Sequence, residues 1–498
     1  MKKRFLPRAA AFAAALIIAA GAAAACGTPG HPDSTSAAAG PDTEGSAGQT
    51  TAPLYDKDGF LLDDIGSGID FGDAEVRVLY WSDRENQEYF SEGENGSEVN
   101  DAIFSRNSAV EDRLRVKFDF VPTPGNSSKA SEFLAGVQNN VKSGDPGYDI
   151  ISAHSRSIGL CAYNGLTQDL MQYPVINTSK PWWPSSLTEK AVINGRLHFV
   201  SGDISTNMLY MMYVVFYNRS MAEDLRLTDP LTLVPDGNWT LEKMIELSTG
   251  IYQDADNDGK KSTGDIYGQA TRTLHCDAYF FGSDISAIDK EGGSLVLSEQ
   301  FTGEKMGSLI DSLRDYFGSS DALLQNDYKG IFREGRSLFV TDRADIAISD
   351  LDGKTFDLGI LPVPKFDANQ ERYLTAVGNP FSLYSIPVNA ADPEMSATVI
   401  ECMASESYRK VTPSVFDVTM KARYAERGED AAVYDTVRAG AVYDLSRIFW
   451  KVFDSSGKAP DTIFQSALTS TSGWSSLVKG ELRVLRKTVE GINAAFAG

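Results

Sequence analysis

Histidine and cysteine are scarce: the 498 residues hold four of each. Four histidines leave few ways to build a transition-metal centre or a hydrolytic triad. Cys161, Cys276 and Cys402 have no metal-ligand spacing, and with Cys26 set apart near the N-terminus they are an odd number. An odd count argues against a full disulfide framework, so mostly buried free thiols are expected, with room for one optional pair. The chain has no Gly-x-Ser-x-Gly elbow, no His-Glu-x-x-His and no phosphate-binding Walker loop. The two acids of a glycoside hydrolase can lie far apart in sequence, and nothing local points to such a pair. Positive charge is also short. Lys and Arg number 46 against 68 Asp and Glu, a formal net charge of −22. So acidic a body repels nucleic acid and anionic lipid, and neither is an expected partner.

What is present begins at the N-terminus. Lys2, Lys3, Arg4 and Arg8 precede an Ala-rich apolar stretch over residues 9–25, which ends in Ala23-Ala24-Ala25-Cys26-Gly27. Basic residues, a short apolar core and small residues before a cut site make an export signal. The stretch falls short of the ~20 apolar residues of a permanent span. The segment at Cys26 resembles the lipobox of bacterial lipoproteins, with Ala23 where Leu is usual. That resemblance implies a lipoprotein signal peptide over residues 1–25 and a diacylglyceryl group on the Cys26 thiol. It places the mature protein on the extracellular face of the bacterial cell membrane, held there by its acyl chains. An ordinary signal peptide cut near Ala25 is the alternative. Residues 26–55 are mostly Gly, Pro, Ser, Thr and Ala and read as a flexible tether.

Past the tether the pattern alternates. Glu75 to Trp81 has the period of a strand. Val99, Ile103, Val110 and Leu114 share one helix face. Val116 to Val121 reads as a second strand stopped by Pro122, residues 129–142 as a helix, and Gly147 to Ala153 as a third strand. Such alternation predicts an open parallel sheet with helices packed on its faces. Ligands bind at the carboxyl ends of such strands, where Trp81-Ser82-Asp83 and the loop His154-Ser155-Arg156 fall. Met211 to Tyr217 is a buried strand, and Asp345 to Ile348 and Asp357 to Leu361 are further strands. The length left after a signal supports at least two lobes.

The sharpest local motif runs from Asp254 to Asp265. Asp254, Asp256 and Asp258 stand at positions one, three and five, Gly259 at six and Asp265 at twelve, a calcium-loop pattern. Ca²⁺ needs six to eight oxygens, and alternating carboxylates on a turning loop converge on one point. Lys260 would add its carbonyl. Asp265 is shorter than the usual bidentate Glu. Ile266-Tyr267-Gly268 reads as extended rather than helical, so this is a structural Ca²⁺ clip and not a paired sensor; a metal-free acidic turn is the other reading. Six Trp, 20 Tyr and 25 Phe supply aromatic planes on which the apolar faces of pyranose rings stack.

The order of Tyr148-Asp149-Ile150-Ile151, Lys180-Pro181-Trp182-Trp183, Asn194-Gly195-Arg196-Leu197, Val215-Phe216-Tyr217-Asn218-Arg219, Gly237-Asn238-Trp239-Thr240 and Leu361-Pro362-Val363-Pro364-Lys365 resembles extracellular solute-binding protein family 1, the lipoprotein sugar-binding components of ABC importers. The resemblance implies a two-lobe, periplasmic-binding-protein-like (type II) α/β fold with a cleft between lobes and C-terminal helices. Residues 75–214 would begin the N-terminal lobe and residues 215–345 the C-terminal lobe, with Val215 to Asn218 the first crossing. Residues 346–392 would hold the return crossing, and residues 393–498 helices packed across the lobes. Candidate ligand-binding residues are Trp81, Asp83, His154, Ser155, Asp203, Trp239 and Asn379; the metal set is Asp254, Asp256, Asp258, Lys260 and Asp265. The expected function is capture of a sugar or oligosaccharide by a non-catalytic monomer and delivery to permease subunits. The alternatives are a binding or sensor protein for a non-sugar solute such as a peptide, and a secreted carbohydrate-active enzyme.

Overall fold

The structure is a computed structural model that describes residues 54–84, 88–423 and 427–497. The signal segment, Cys26 and the tether up to Pro53 lie outside the described residues. In the body the first strand is β1 (Ala74–Trp81), whose inward Val76 and Val78 are fully buried. The helix Glu98–Leu114 crosses to β2 (Val116–Thr123), and the helix Ala130–Ser143 crosses to β3 (Ile150–His154). Both β2 and β3 pair parallel to β1, as strand–helix–strand crossovers require.

The chain then passes through β4 (Tyr213–Asn218), β5 (Tyr267–Thr271), a separate hairpin of β6 (Ile288–Glu291) and β7 (Ser294–Leu297), then β8 (Ala322–Leu324), β9 (Ser337–Arg343) and β10 (Leu358–Leu361), and all but the hairpin form a second sheet. Short strands β11 (Thr375–Ala376), β12 (Ser382–Ser385) and β13 (Ala441–Val442) come after it. The first lobe's sheet has the order β12-β3-β1-β2 and the second lobe's β10-β4-β9-β5-β8. All six residues of β4 are buried, which is why that segment reads as an unbroken apolar run.

Three details depart from the sequence reading. Pro122 does not stop β2, which runs on to Thr123; β2 is an edge strand, where a missing N–H breaks no ladder. Asp345 to Ile348 is not a strand. The helix Ile346–Ser349 occupies it, and the strand lies earlier, in β9. The first crossing also moves. Val215 to Asn218 pairs with β9 and β10 inside the second sheet, and the passage between lobes lies just before it. There the Gly378 N–H donates to the Met211 carbonyl at 2.7 Å, and Met212 bridges Val377. Because β10 still pairs antiparallel with β4, the return to the first lobe comes after it, through β11 to β12. β11 is paired in turn with β13, so three crossing segments lie side by side.

After the return, the helix Pro393–Glu406 packs on the helix Glu98–Leu114 of the first lobe. The helix Gly428–Ala439 lies against β10, and the helix Pro460–Ala467 against the helix Asp277–Gly282 of the second lobe. The helix Trp450–Ser456 returns to the first lobe and packs on the helix Ser155–Tyr163. Cys161, Cys276 and Cys402 are buried free thiols.

Candidate functional site

The residues singled out in the sequence do not form one open site: Trp81, His154, Ser155 and Asn379 meet inside the first lobe, while Trp239 is buried elsewhere. Trp81 ends β1 only 1% exposed, and its Nε1 donates to Ser382 Oγ at 2.8 Å within the same lobe. Its ring meets His154 edge-on, with centroids 5.6 Å apart. A Cβ at Gly125 would stand 2.5 Å from the Trp81 Cβ, so backbone is packed against it. Trp81 is therefore core, not a ligand platform. Trp239 is likewise fully buried; its Nε1 donates to the Pro362 carbonyl at 2.8 Å. His154 and Ser155 are not on an open loop. His154 closes β3 and its Nδ1 accepts the Arg156 backbone N–H at 3.1 Å, capping the next helix. Ser155 Oγ donates to the Asn379 carbonyl at 2.7 Å, and both residues are buried. Asp83 is exposed and accepts from Asn126 Nδ2 at 2.9 Å. Asp203 accepts from Arg438 Nη2 at 2.9 Å and from Thr412 Oγ1 at 2.8 Å, tying the first lobe to the C-terminal helices.

One residue beyond His154 and Ser155, a different set of side chains meets. Arg156, in the first turn of the helix after β3, lies over the partly exposed Trp450 ring, 4.3 Å from its centroid. Its Nη2 donates to Asp461 Oδ2 at 3.4 Å, while its buried Nε has no hydrogen-bond partner. From the second lobe, β5 leads through Thr273–Cys276 to Asp277. Asp277 Oδ1 accepts from Gln465 Nε2 at 2.8 Å. Its Oδ2 is 3.7 Å from Arg447 Nη2 and takes no hydrogen bond. Burial first, and the Asp461 charge second, push the Asp277 carboxyl up to about 7. Arg343 ends β9 with its Nε also unbonded, 3.7 Å from Asp342 Oδ1. Asp461 and Gln465 stand on one helix and link Arg156 to Asp277, with Arg447 beside that carboxylate, so these groups share one region.

Three guanidiniums and one carboxylate thus bring three donors and one acceptor, all buried, without hydrogen-bond partners. Such groups are rare in a finished interior and need partners from elsewhere. The sequence reading stopped one position short at Arg156. Asp277 and Trp450 carried no local signal, because the second lobe and the C-terminal helices bring them in.

The acidic loop keeps its predicted shape. Asp254, Asp256 and Asp265 each place a carboxylate oxygen within 4.8 Å of the others. Gly259 turns with φ +73°, and any Cβ at Gly264 would strike Asp256 Oδ2 at 2.2 Å. Asp265 is buried and accepts the N–H groups of Ser262 at 2.8 Å and Ala255 at 3.2 Å. Asp258 is exposed and accepts the Lys260 N–H at 2.7 Å, so it stands outside the converging three. The donor set, all hard oxygen, fits Ca²⁺. The loop precedes β5, at the opposite end of that strand from Asp277.

No family model matches the chain, and no curated protein matches it. Solved structures do. The cyclic α-maltosyl-1,6-maltose binding protein of Arthrobacter globiformis aligns with a TM-score of 0.56 at 14% identity, over 86% of this chain and 100% of that one. The galacto-N-biose/lacto-N-biose I-binding protein of the ABC transporter of Bifidobacterium longum, solved with lacto-N-biose, gives 0.56 at 13%, over 84% and 98%. The chain has a periplasmic-binding-protein-like fold. UgpB from Mycobacterium tuberculosis, in complex with glycerophosphocholine, has the same likeness, 0.55 at 14% over 83% and 98%. In a fold of this kind the polar cluster around Arg156 and Asp277 falls where two lobes face each other.

Proposed function

We propose that the chain is a solute-binding lipoprotein that captures a sugar or oligosaccharide between its lobes and delivers it to the permease subunits of an ABC importer. The interlobe cluster carries this reading. Sugar hydroxyls both donate and accept, which suits the unbonded Nε groups of Arg156, Arg343 and Arg447 and the free Oδ2 of Asp277. The Trp450 face supplies the plane for a ring's C–H side. Lobe closure over ligand would complete these hydrogen bonds and present a new surface to the permease. The protein works as a monomer and does no chemistry on its cargo. An acyl group on Cys26 holds it at the extracellular face of the membrane, and Ca²⁺ on Asp254, Asp256 and Asp265 clips the loop before β5.

A thermal-shift screen of the protein against mono- and oligosaccharides tests the reading. A ligand at 100 times its Kd stabilises by about 2.7 kcal/mol. The shift should vanish in Arg156→Ala. A second reading, capture of an anionic non-sugar solute, rests on the three guanidiniums with free N–H groups. A shift with phosphodiesters and none with any saccharide would establish it and overturn the first.

A further inference from the structure

A cavity of substantial volume lies away from the interlobe cluster. It is a groove of ≈ 1130 Å³ beside the β10 edge, walled by residues 229–237, the 365–373 loop and the helix Gly428–Ala439. It shares no lining residue with the cluster around Arg156 and Asp277. Leu231, Val234, Val433 and Tyr373 give it an apolar wall.

Lys365 lies in that wall, 4% exposed, in the segment just after β10. Its ammonium sits over the Tyr373 ring, 5.8 Å from the centroid. A Cβ at Gly237 would come within 2.9 Å of Nζ, and the φ of +69° there also favours glycine, so the space beside the ammonium is kept open. Among the described residues Nζ has neither a hydrogen bond nor an ion pair. Asp229 also lines the groove, and its Oδ1 accepts the Tyr217 hydroxyl at 2.7 Å and the Leu231 N–H at 3.0 Å. The ammonium therefore faces the groove with the Tyr373 ring beside it, a cation–π contact, and with no paired counter-charge.

We infer that this groove is a second ligand site, for a small amphiphile with a single negative charge: a carboxylate on an apolar body. The carboxylate meets Lys365 Nζ and the body lies on Leu231, Val234 and Val433. One charge rather than several is set by the mouth, where the acids Asp236, Glu371 and Glu429 outnumber Arg372 and Arg427 and disfavour a polyanion. The volume is that of a small-molecule pocket.

The test uses 1-anilinonaphthalene-8-sulfonate, an apolar monoanion that fluoresces on binding, with the purified folded protein. Saturable dye binding should be displaced by octanoate but not by octan-1-ol at the same concentration. Lys365→Met, which keeps the chain's bulk and removes the charge, should weaken the dye at least tenfold. Ala432→Trp fills the groove from its exposed side without touching the ammonium and should do the same, so it decides the matter if Lys365→Met does not fold. Wild-type dye affinity in Ala432→Trp, or in a folded Lys365→Met, overturns the assignment. So does displacement by octan-1-ol as readily as by octanoate.

Discussion

Trp81 and Trp450 should respond to alanine in opposite ways. Trp81 is buried in the first lobe, and its Nε1 belongs to a buried chain in which Ser382 Oγ also meets the Tyr89 hydroxyl at 2.9 Å and Tyr89 meets Ser152 Oγ at 2.9 Å. Trp81→Ala loses the burial of a large side chain and leaves a cavity, a cost of about 3–5 kcal/mol. It also removes one buried hydrogen bond to Ser382 Oγ, adding about 1 kcal/mol. For a body the length of Leu54–Gly498, an unfolding entropy of about 2 cal/mol/K per residue turns this into a fall in Tm of roughly 4–6 °C. Trp81→Phe keeps most of the volume and should cost a fraction of that. Trp450 is only partly exposed but opens onto the cluster, with Arg156 across its face. Trp450→Ala should lower Tm by less than half as much and weaken the saccharide found in the screen at least tenfold. Calorimetric melting and titration of the same variants give both readouts. If Trp81→Ala melts like wild type and binds more weakly, Trp81 is a ligand residue and the placement of the site at Trp450 fails.

Stability should fall as pH rises from about 5 to about 8. Burial pushes the Glu401 carboxyl up to about 8 although the Trp183 and Trp182 indole N–H groups donate to it; a carboxyl whose folded pKa is raised stabilises fully at low pH and loses that contribution as pH passes the folded value. Glu401→Gln should flatten the pH dependence of Tm, and an unchanged slope refutes the assignment. Chelating Ca²⁺ should lower Tm in the wild type, while Asp256→Ala should melt identically with and without chelator; wild-type melting indifferent to chelator removes the metal clip. Cys26→Ala should release the protein from the membrane fraction into the medium, and continued retention would point to an uncleaved anchor instead.

The reach of the sequence depends on the range of the interactions. β1, β2 and the helices between them announce themselves because one lobe face is buried and the other wet, so Val76, Val78, Ile103 and Val110 repeat with the period of their element. The acidic loop is legible for the same reason: its carboxylates, Gly259 and Gly264 act on one another within twelve positions. Asp345 to Ile348 misled because four apolar-rich residues have no period long enough to separate strand from helix, and the tertiary context made them the helix Ile346–Ser349.

The cleft is the opposite case. Polar residues at the end of β3 pointed to one end of the sheet, but the sequence could not say which of His154, Ser155 and Arg156 would face outward from it. That choice was made by helix capping: His154 Nδ1 takes the Arg156 N–H, Ser155 Oγ turns back to Asn379, and the third side chain is left to reach out over Trp450. Its partners come from 120 to more than 300 positions away, since Asp277 enters from the second lobe and Trp450 and Asp461 from helices beyond the last crossing. Side chains chosen for their polarity in sequence are already bonded elsewhere, as Asp203 is to Arg438 of the C-terminal helices. Arg156 Nε and Asp277 Oδ2 stay unbonded where groups of both lobes and the C-terminal helices meet. In a fold that works by opening and closing, unsatisfied hydrogen-bonding capacity across the lobe boundary is a better guide to the ligand site than polarity at a strand end.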